Sequence, residues 1–210
     1  MMEVALCDLG MGNLCSVERA LAQGAADAGV ACAVRRTPDP DVVRRADKIV
    51  VPGQGAFRDC AASLAGGLGD VLRERIAAGV PYLGICLGLQ ALFEGSEEAP
   101  GAAGLGVLRG QVVRLSSGEG FKIPHMGWNR VEILRSAGAL AAFAEEAPYF
   151  YFVHSFHAVP EDPAVLAAVT EHGPHRVTAA VQRENVLATQ FHPEKSQAVG
   201  LSLLAAFLKS

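Results

Sequence analysis

With 210 residues, half of them hydrophobic and 19% charged, the sequence can bury a full core without disulfide or metal staples. A formal net charge of −4 and the lack of any basic tract exclude a general nucleic-acid binder. The five cysteines, Cys7, Cys15, Cys32, Cys60 and Cys86, are odd in number and form no Cys-x-x-Cys pair. That usage fits a reducing compartment rather than a disulfide framework. The N-terminal run meets an acid at Glu3, too early for a signal peptide, and no apolar run reaches the roughly 20 residues that span a bilayer. The expectation is a cytoplasmic, soluble protein with no membrane or nucleic-acid partner.

In chain order, Val4-Ala5-Leu6 reads as a first strand ending in the glycine-rich loop Asp8 to Asn13. Val17, Ala20, Leu21 and Ala25 recur at helical spacing, which predicts a helix over Ser16 to Ala28 that Gly29 ends. A second strand is expected over Val30 to Val34, a short helix near Asp41 to Arg45, and a third strand over Lys48 to Val51. That strand runs into a second glycine-rich loop, Pro52-Gly53-Gln54-Gly55-Ala56-Phe57. Helices near Phe57 to Leu64 and Asp70 to Ala78 then lead to the apolar run Val80-Pro81-Tyr82-Leu83. Strands alternating with helices imply a mainly parallel sheet with helices on both faces. A site is then expected outside the carboxyl ends of the strands, where the glycine-rich loops fall. The first loop, Gly10-Met11-Gly12, lacks the third glycine of a dinucleotide fingerprint, and Arg35 and Arg36 stand where a ribose-binding acid belongs. No cofactor is expected there.

After the third strand–helix repeat comes Gly84-Ile85-Cys86-Leu87-Gly88, with a helix expected over Leu87 to Phe93. A thiol flanked by glycines two residues either side, between strand and helix, is the cysteine form of a nucleophile elbow. The turn is so tight that its neighbours at plus and minus two must lack side chains, and the following helix aims N–H groups at the sulfur. A buried strand cysteine lying near glycines by chance fits these five residues equally well.

The second half changes character. Strands are expected over Gly106 to Leu115, Asn129 to Leu134, Tyr149 to His154, Val165 to Thr170, Val177 to Val181 and Asn185 to Gln190. Their close spacing suggests antiparallel pairs beside the parallel core. A last helix over Gln197 to Leu208 should pack on the sheet. No repeat or linker divides the chain, so residues 1–210 read as a single domain.

A cysteine nucleophile needs a base, and the base needs a group that fixes its tautomer. Gln190-Phe191-His192-Pro193-Glu194-Lys195 offers both. Pro193 holds His192 extended, and side chains two apart on extended chain share a face, so Glu194 can bind one ring nitrogen while the other meets Cys86. A polar turn ahead of the last helix is the plainer reading of the same residues. His154/His157 and His172/His175 share His-x-x-His spacing but lack matched ligands, so no metal is expected. His125 sits in an unusual loop, Lys122 to Asn129, with the only tryptophan. Trp128 either caps the core or is a contact for a partner. The oxyanion formed when Cys86 attacks an acyl carbon needs donors: the Leu87 N–H, and a second from the Gly53-Gln54-Gly55 loop.

Taken together, Gly84 to Gln90 with His192-Pro193-Glu194 resembles the class I, triad-type glutamine amidotransferases. Asp8 to Leu14, Pro52 to Phe57, Pro124 to Asn129, Tyr151 to Ser155 and Gln190 to Ser196 are similar to the glutaminase subunits of imidazole glycerol phosphate synthases, over essentially the whole chain. The resemblance implies a flavodoxin-like α/β fold, with Cys86, His192 and Glu194 as the catalytic triad acting on L-glutamine. It implies substrate binding by Gln90, Glu98, His154 and Ser155. It also implies a heterodimer with a cyclase subunit of (β/α)8 barrel fold, to which ammonia passes for imidazole ring closure in histidine biosynthesis. Asn13, His125, Met126, Trp128, Tyr151 and Lys195 match positions that face the cyclase or gate the ammonia.

Departures from the pattern are Leu9, Cys15, Leu89 and Phe156, which look like packing changes, and Gln54, where the family usually has Val. A glutamine there can hydrogen-bond locally and alter how tightly the partner gates activity. The rival readings are another class I glutaminase (for pyridoxal phosphate, anthranilate or guanylate synthesis), a non-catalytic subunit of the same fold, and a redox-sensing or hydrolytic cysteine enzyme.

Overall fold

The computed structural model describes residues 1–118, 120–143 and 147–210. The N-terminal half contains β1 (Met2–Cys7), α1 (Leu14–Ala28), β2 (Cys32–Thr37), α2 (Pro40–Arg45), β3 (Lys48–Gly53), α3 (Phe57–Leu64), α4 (Leu68–Ala77), β4 (Tyr82–Cys86) and α5 (Leu87–Gln90). The C-terminal half adds β5 (Gly95–Ser96), β6 (Gly110–Arg114), β7 (His125–Arg130), β8 (Glu132–Ile133), β9 (Tyr149–His154), β10 (Phe156–Pro160), β11 (Leu166–His172), β12 (His175–Arg183), β13 (Val186–Thr189) and α6 (Gln197–Lys209).

Eight strands form the main sheet in the order β2-β1-β3-β4-β13-β12-β11-β8. The first five run parallel, the doubly wound order of flavodoxin-like sheets, and β12, β11 and β8 continue antiparallel. The expected mainly parallel sheet with added antiparallel strands is the one observed. Burial follows from that position in the sheet. Every residue of β3 and β4 is buried, as expected for central strands covered on both faces. Alternate residues of β3 enter different cores: Ile49 and Val51 pack with Phe57, Leu72 and Tyr82, whereas Val50 joins Leu83, Phe191, Leu203 and Phe207 on the side of α1 and α6.

α1 buries Val17, Ala20, Leu21 and Ala25, is capped by the Asn13 side chain accepting from the Ser16 N–H at 3.2 Å, and ends at left-handed Gly29. The sheet edge β2 carries the exposed Arg35 and Arg36, so the second strand lies at Cys32–Thr37 rather than 30–34: its pairing with β1 extends it through two arginines that strand propensity disfavours. No helix among the described residues is long and apolar enough to cross a membrane.

Four expectations change. The helix after Cys86 is one turn, because the carbonyls of Ala91, Leu92 and Phe93 accept N–H bonds from Leu105, Leu108 and Gly106 instead of continuing it. The unusual loop at 122–129 is mostly strand β7, which pairs with β9 from His125↔His154 to Arg130↔Tyr149. The strand expected over 129–134 is therefore split between β7 and β8. The strand expected from Gly106 begins only at Gly110, after a turn in which Gly106 has φ 63°.

Candidate active site

β4 delivers Cys86 with φ 55° and ψ −100°, a conformation that residues with a side chain rarely adopt and that costs about 1–3 kcal/mol. The surrounding structure imposes it by contact. A Cβ on Gly84 would lie 2.6 Å from the Gly88 carbonyl oxygen, one on Gly88 would lie 1.8 Å from the Val51 oxygen, and one on Gly53 would lie 2.8 Å from Leu87 Cβ. Both elbow glycines are thus required by close approach, as the motif predicts. The Tyr82 hydroxyl donates to the Gly88 carbonyl at 2.9 Å and ties the far side of the turn back to β4. Gly53, the last residue of β3, is in register with Cys86, which brings the Gly53–Gln54 loop level with the nucleophile.

β13 pairs in parallel with β4, so the chain emerging from it brings His192 to the same end of the sheet. His192 is extended (φ −103°, ψ 96°), but Pro193–Lys195 is a 3-10 turn rather than extended chain. The turn still brings Glu194 Oε1 to 2.8 Å from His192 Nδ1, with both side chains almost fully buried (1% and 2% exposed). Because a carboxylate only accepts, Nδ1 carries the proton in that bond. Burial by itself lowers the His192 pKa, but the charge of Cys86, followed by Glu194, outweighs burial and raises it to about 9. His192 Nε2 is buried and does not reach a hydrogen-bond partner of good geometry among the described residues. The backbone around His192 is fastened as well. Its N–H donates to the Tyr151 carbonyl at 2.9 Å, and its carbonyl accepts from Ser196 Oγ at 2.6 Å. Ser196 Oγ in turn accepts from the Tyr151 N–H at 3.0 Å.

Cys86 opens onto a cavity of about 380 Å³. Gln54, Leu87, Gln90, Glu98, His154, Ser155 and Lys195 all line it, which gathers the residues expected to bind substrate and, of those expected at the oxyanion, Leu87 and Gln54 but not Gly53. Glu98 is held by the Phe57 N–H, which donates to its Oε2 at 2.9 Å at the start of α3. The Gln54 side chain makes no hydrogen bond among the described residues, so the local bond considered for it is not formed.

His154 lines the cavity, but both of its ring nitrogens are engaged: Nδ1 donates to the Phe156 carbonyl and Nε2 accepts from His125 Nδ1, each at 2.9 Å. Asn129 Nδ2 donates to His125 Nε2 at 3.1 Å. The carbonyl fixes the proton on His154 Nδ1, and each later bond fixes the next tautomer. Burial, then His172, lowers the His125 pKa to about 4; burial, then His125, lowers that of His154 to about 3.

His125 is only 3% exposed, so it lies beneath the face on which it was expected to meet a partner. Met126 and Trp128 are the exposed large hydrophobic residues of β7, at 61% and 47%, which rules out the core-capping reading of Trp128. Trp128 meets Tyr151 edge-to-face, and Lys195 Nζ lies 5.9 Å from the Tyr151 ring centre, so this apolar face runs to the cavity rim. Asn13 is exposed but engaged as the α1 cap. Tyr82, Ser196 and Gln190 received no role from sequence, although Gln190 and Ser196 bound the stretch that carries the resemblance; the signal for Gln190 is a glutamine directly after the strand run Val186 to Thr189.

Comparison with known proteins gives the family. The family described as glutamine amidotransferase class-I matches residues 10–209. The imidazole glycerol phosphate synthase subunit HisH of Methylococcus capsulatus is 49% identical, over 100% of this chain and 97% of its own length. The same-named subunit of Pyrococcus furiosus is 44% identical over 97% of each chain. A solved structure titled as a glutamine amidotransferase superposes with a TM-score of 0.73 at 20% identity, covering 98% of this chain and 97% of its own, which shows the shared fold. The chain belongs to the class-I glutamine amidotransferase family.

Proposed function

We propose that the protein is the glutaminase subunit of an imidazole glycerol phosphate synthase, with Cys86, His192 and Glu194 as its catalytic triad. The observation that carries the reading is Cys86 opening onto the cavity with the buried His192–Glu194 pair at the same end of the sheet, in a chain 49% identical over its full length to a subunit of that synthase. Residues 1–210 act as one domain, since the main sheet takes strands from both halves of the chain.

In the proposed reaction, Glu98, Gln90 and Ser155 hold L-glutamine in the cavity, and the Cys86 sulfur attacks its side-chain amide carbon. The N–H of Leu87 and one from the Gly53–Gln54 loop receive the negative charge on the carbonyl oxygen. His192 gives its Nε2 proton to the departing nitrogen, leaving a glutamyl thioester and ammonia. It then takes a proton from water as that water attacks the thioester, and the sulfur leaves with glutamate released. Glu194 balances the imidazolium in both steps. Ammonia passes to a cyclase subunit of (β/α)8 barrel fold in a cytoplasmic heterodimer. The docking face is the β7–β9 surface of Met126, Trp128 and Tyr151, reaching Lys195; His125 supports that face from below, and Asn13, exposed at the start of α1, is assigned to the same interface. Such an exposed aromatic and methionine patch is typical of a contact hot spot.

The test is Cys86→Ala in the complex: glutamine hydrolysis is lost, while synthesis driven by added ammonia persists. Retained glutaminase activity overturns the assignment. Trp128→Ala weakens binding of the cyclase by about 1–3 kcal/mol without lowering the melting temperature.

A further inference from the structure

Gln190 is fully buried, one residue beyond β13, and its Nε2 donates to Cys86 Sγ at 3.5 Å. It is the one side chain that donates a hydrogen bond to this sulfur among the described residues, since His192 Nε2 stops short of that geometry. We infer that Gln190 holds the Cys86 thiolate through this N–H, with its amide turned toward the sulfur by Gln90. The inference rests on Cys86 being the nucleophile and adds to the triad a neutral donor that stays in place while His192 gives and takes its proton.

The orientation of both amides follows from a single carbonyl. The Phe156 oxygen can only accept, so Gln90 must present its NH2 to it, at 3.0 Å. The second hydrogen of the same nitrogen reaches Gln190 Oε1 at 3.1 Å. An oxygen at that position leaves the NH2 of Gln190 facing Cys86. Turning the Gln190 amide over would set N–H against N–H at Gln90 and oxygen against the sulfur, which is two repulsions in a buried site. The main-chain N–H of Gln190, bonded to the Ala179 carbonyl at 2.8 Å, keeps the residue from drifting away. Hydrogen bonds to a charged acceptor are the stronger kind, so this donor favours thiolate over thiol before attack. When water cleaves the thioester the sulfur regains its charge, and the same N–H stabilises it as the leaving group.

The experiment is alkylation of Cys86 by iodoacetamide from about pH 5 to about pH 10, the range over which a thiol ionises. It is followed by mass spectrometry on the Cys86 peptide, because exposed Cys15 also reacts. Gln190→Met keeps the volume and removes the donor; its midpoint should rise by about one pH unit, so that the rate on the acid side falls roughly tenfold. Gln190→Glu should move it further, because it sets a like charge beside the sulfur. Gln90→Met, which leaves Gln190 but frees its amide, should give a smaller rise of the same sign. Unchanged midpoints in folded Gln190 variants overturn the inference. In the unsubstituted chain, the side-chain NH2 resonances of Gln190 should shift with the Cys86 midpoint and cease to do so in Cys86→Ala. Resonances that never follow Cys86 also overturn it. The readouts need no glutamine, so a parent complex that fails to hydrolyse glutamine defeats the functional reading separately.

Discussion

Cys86 and His192 stand at the ends of neighbouring parallel strands, yet they are held by opposite means. The nucleophile is fixed by crowding: backbone approaches that leave no room for a Cβ at Gly84 or Gly88 force a positive φ at Cys86. The base is fixed by hydrogen bonds: its ring donates to Glu194, its main-chain N–H donates to the Tyr151 carbonyl, and its carbonyl accepts from Ser196. The difference suits the two duties. An attacking atom needs a direction that does not change with its charge, and sterics supply that. A proton carrier needs partners whose strength changes as its charge changes, and a buried carboxylate supplies those.

This contrast can be broken at either end. Gly88→Ala should be the most damaging change, because its methyl would lie 1.8 Å from the Val51 oxygen; a loss above about 4 kcal/mol, read as failure to fold or a collapsed melting temperature, is expected. A stable Gly88→Ala protein would show that crowding does not set the elbow. Next is Glu194→Gln, which should keep the fold and lower kcat roughly 10²–10⁴-fold. The imidazolium now persists to about pH 9 through Cys86 and Glu194 acting against burial, so the alkaline limb of the glutaminase profile should move to lower pH. Stability follows the same sign. A folded pKa raised above the ordinary 6.5 gives a contribution complete below 6.5 and lost as pH rises through about 9, and the variant should lose it earlier. Ser196→Ala leaves the buried Tyr151 N–H and His192 carbonyl short of a partner, an expected loss of about 1–3 kcal/mol in urea denaturation with kcat falling alongside. Smallest is Tyr82→Phe, about 1 kcal/mol, which removes only the tether to Gly88 and should leave the strained turn and kcat near the parent values.

The elbow and the parallel half were readable because each follows from local rules. Gly84 and Gly88 announce a tight turn, and the spacing of Val17, Ala20, Leu21 and Ala25 gives the buried face of α1. What escaped depends on partners distant in sequence. Strand β10 begins two residues after β9 and pairs with β6, some forty positions earlier, so no local period marks it. Helix α5 is not continued because Leu105, Gly106 and Leu108 take the carbonyls of Ala91, Phe93 and Leu92. At the site, the joining of His192 to Glu194 was legible although its backbone reason was not: a 3-10 turn, not extended chain, brings the two together. Lys122 to Asn129, with Pro124 and Gly127, looked like a loop, yet pairing with β9 makes most of it a strand and turns His125 inward while Trp128 faces out.

The tautomer-locked imidazoles of His125 and His154 take up protons when the protein unfolds in mild acid. His125 and His154 stay neutral in the folded chain down to about pH 4 and about pH 3, whereas freed from burial they titrate near 6.5. Between those values the unfolded state binds more protons at these two histidines, so their contribution to stability is full above about 6.5 and declines as pH falls toward 4. A calorimeter would register this as an unfolding enthalpy that varies with the ionisation heat of the buffer at pH 5 and ceases to do so near pH 8, once the imidazoles are neutral in both states and if His192 is replaced by a residue that does not titrate.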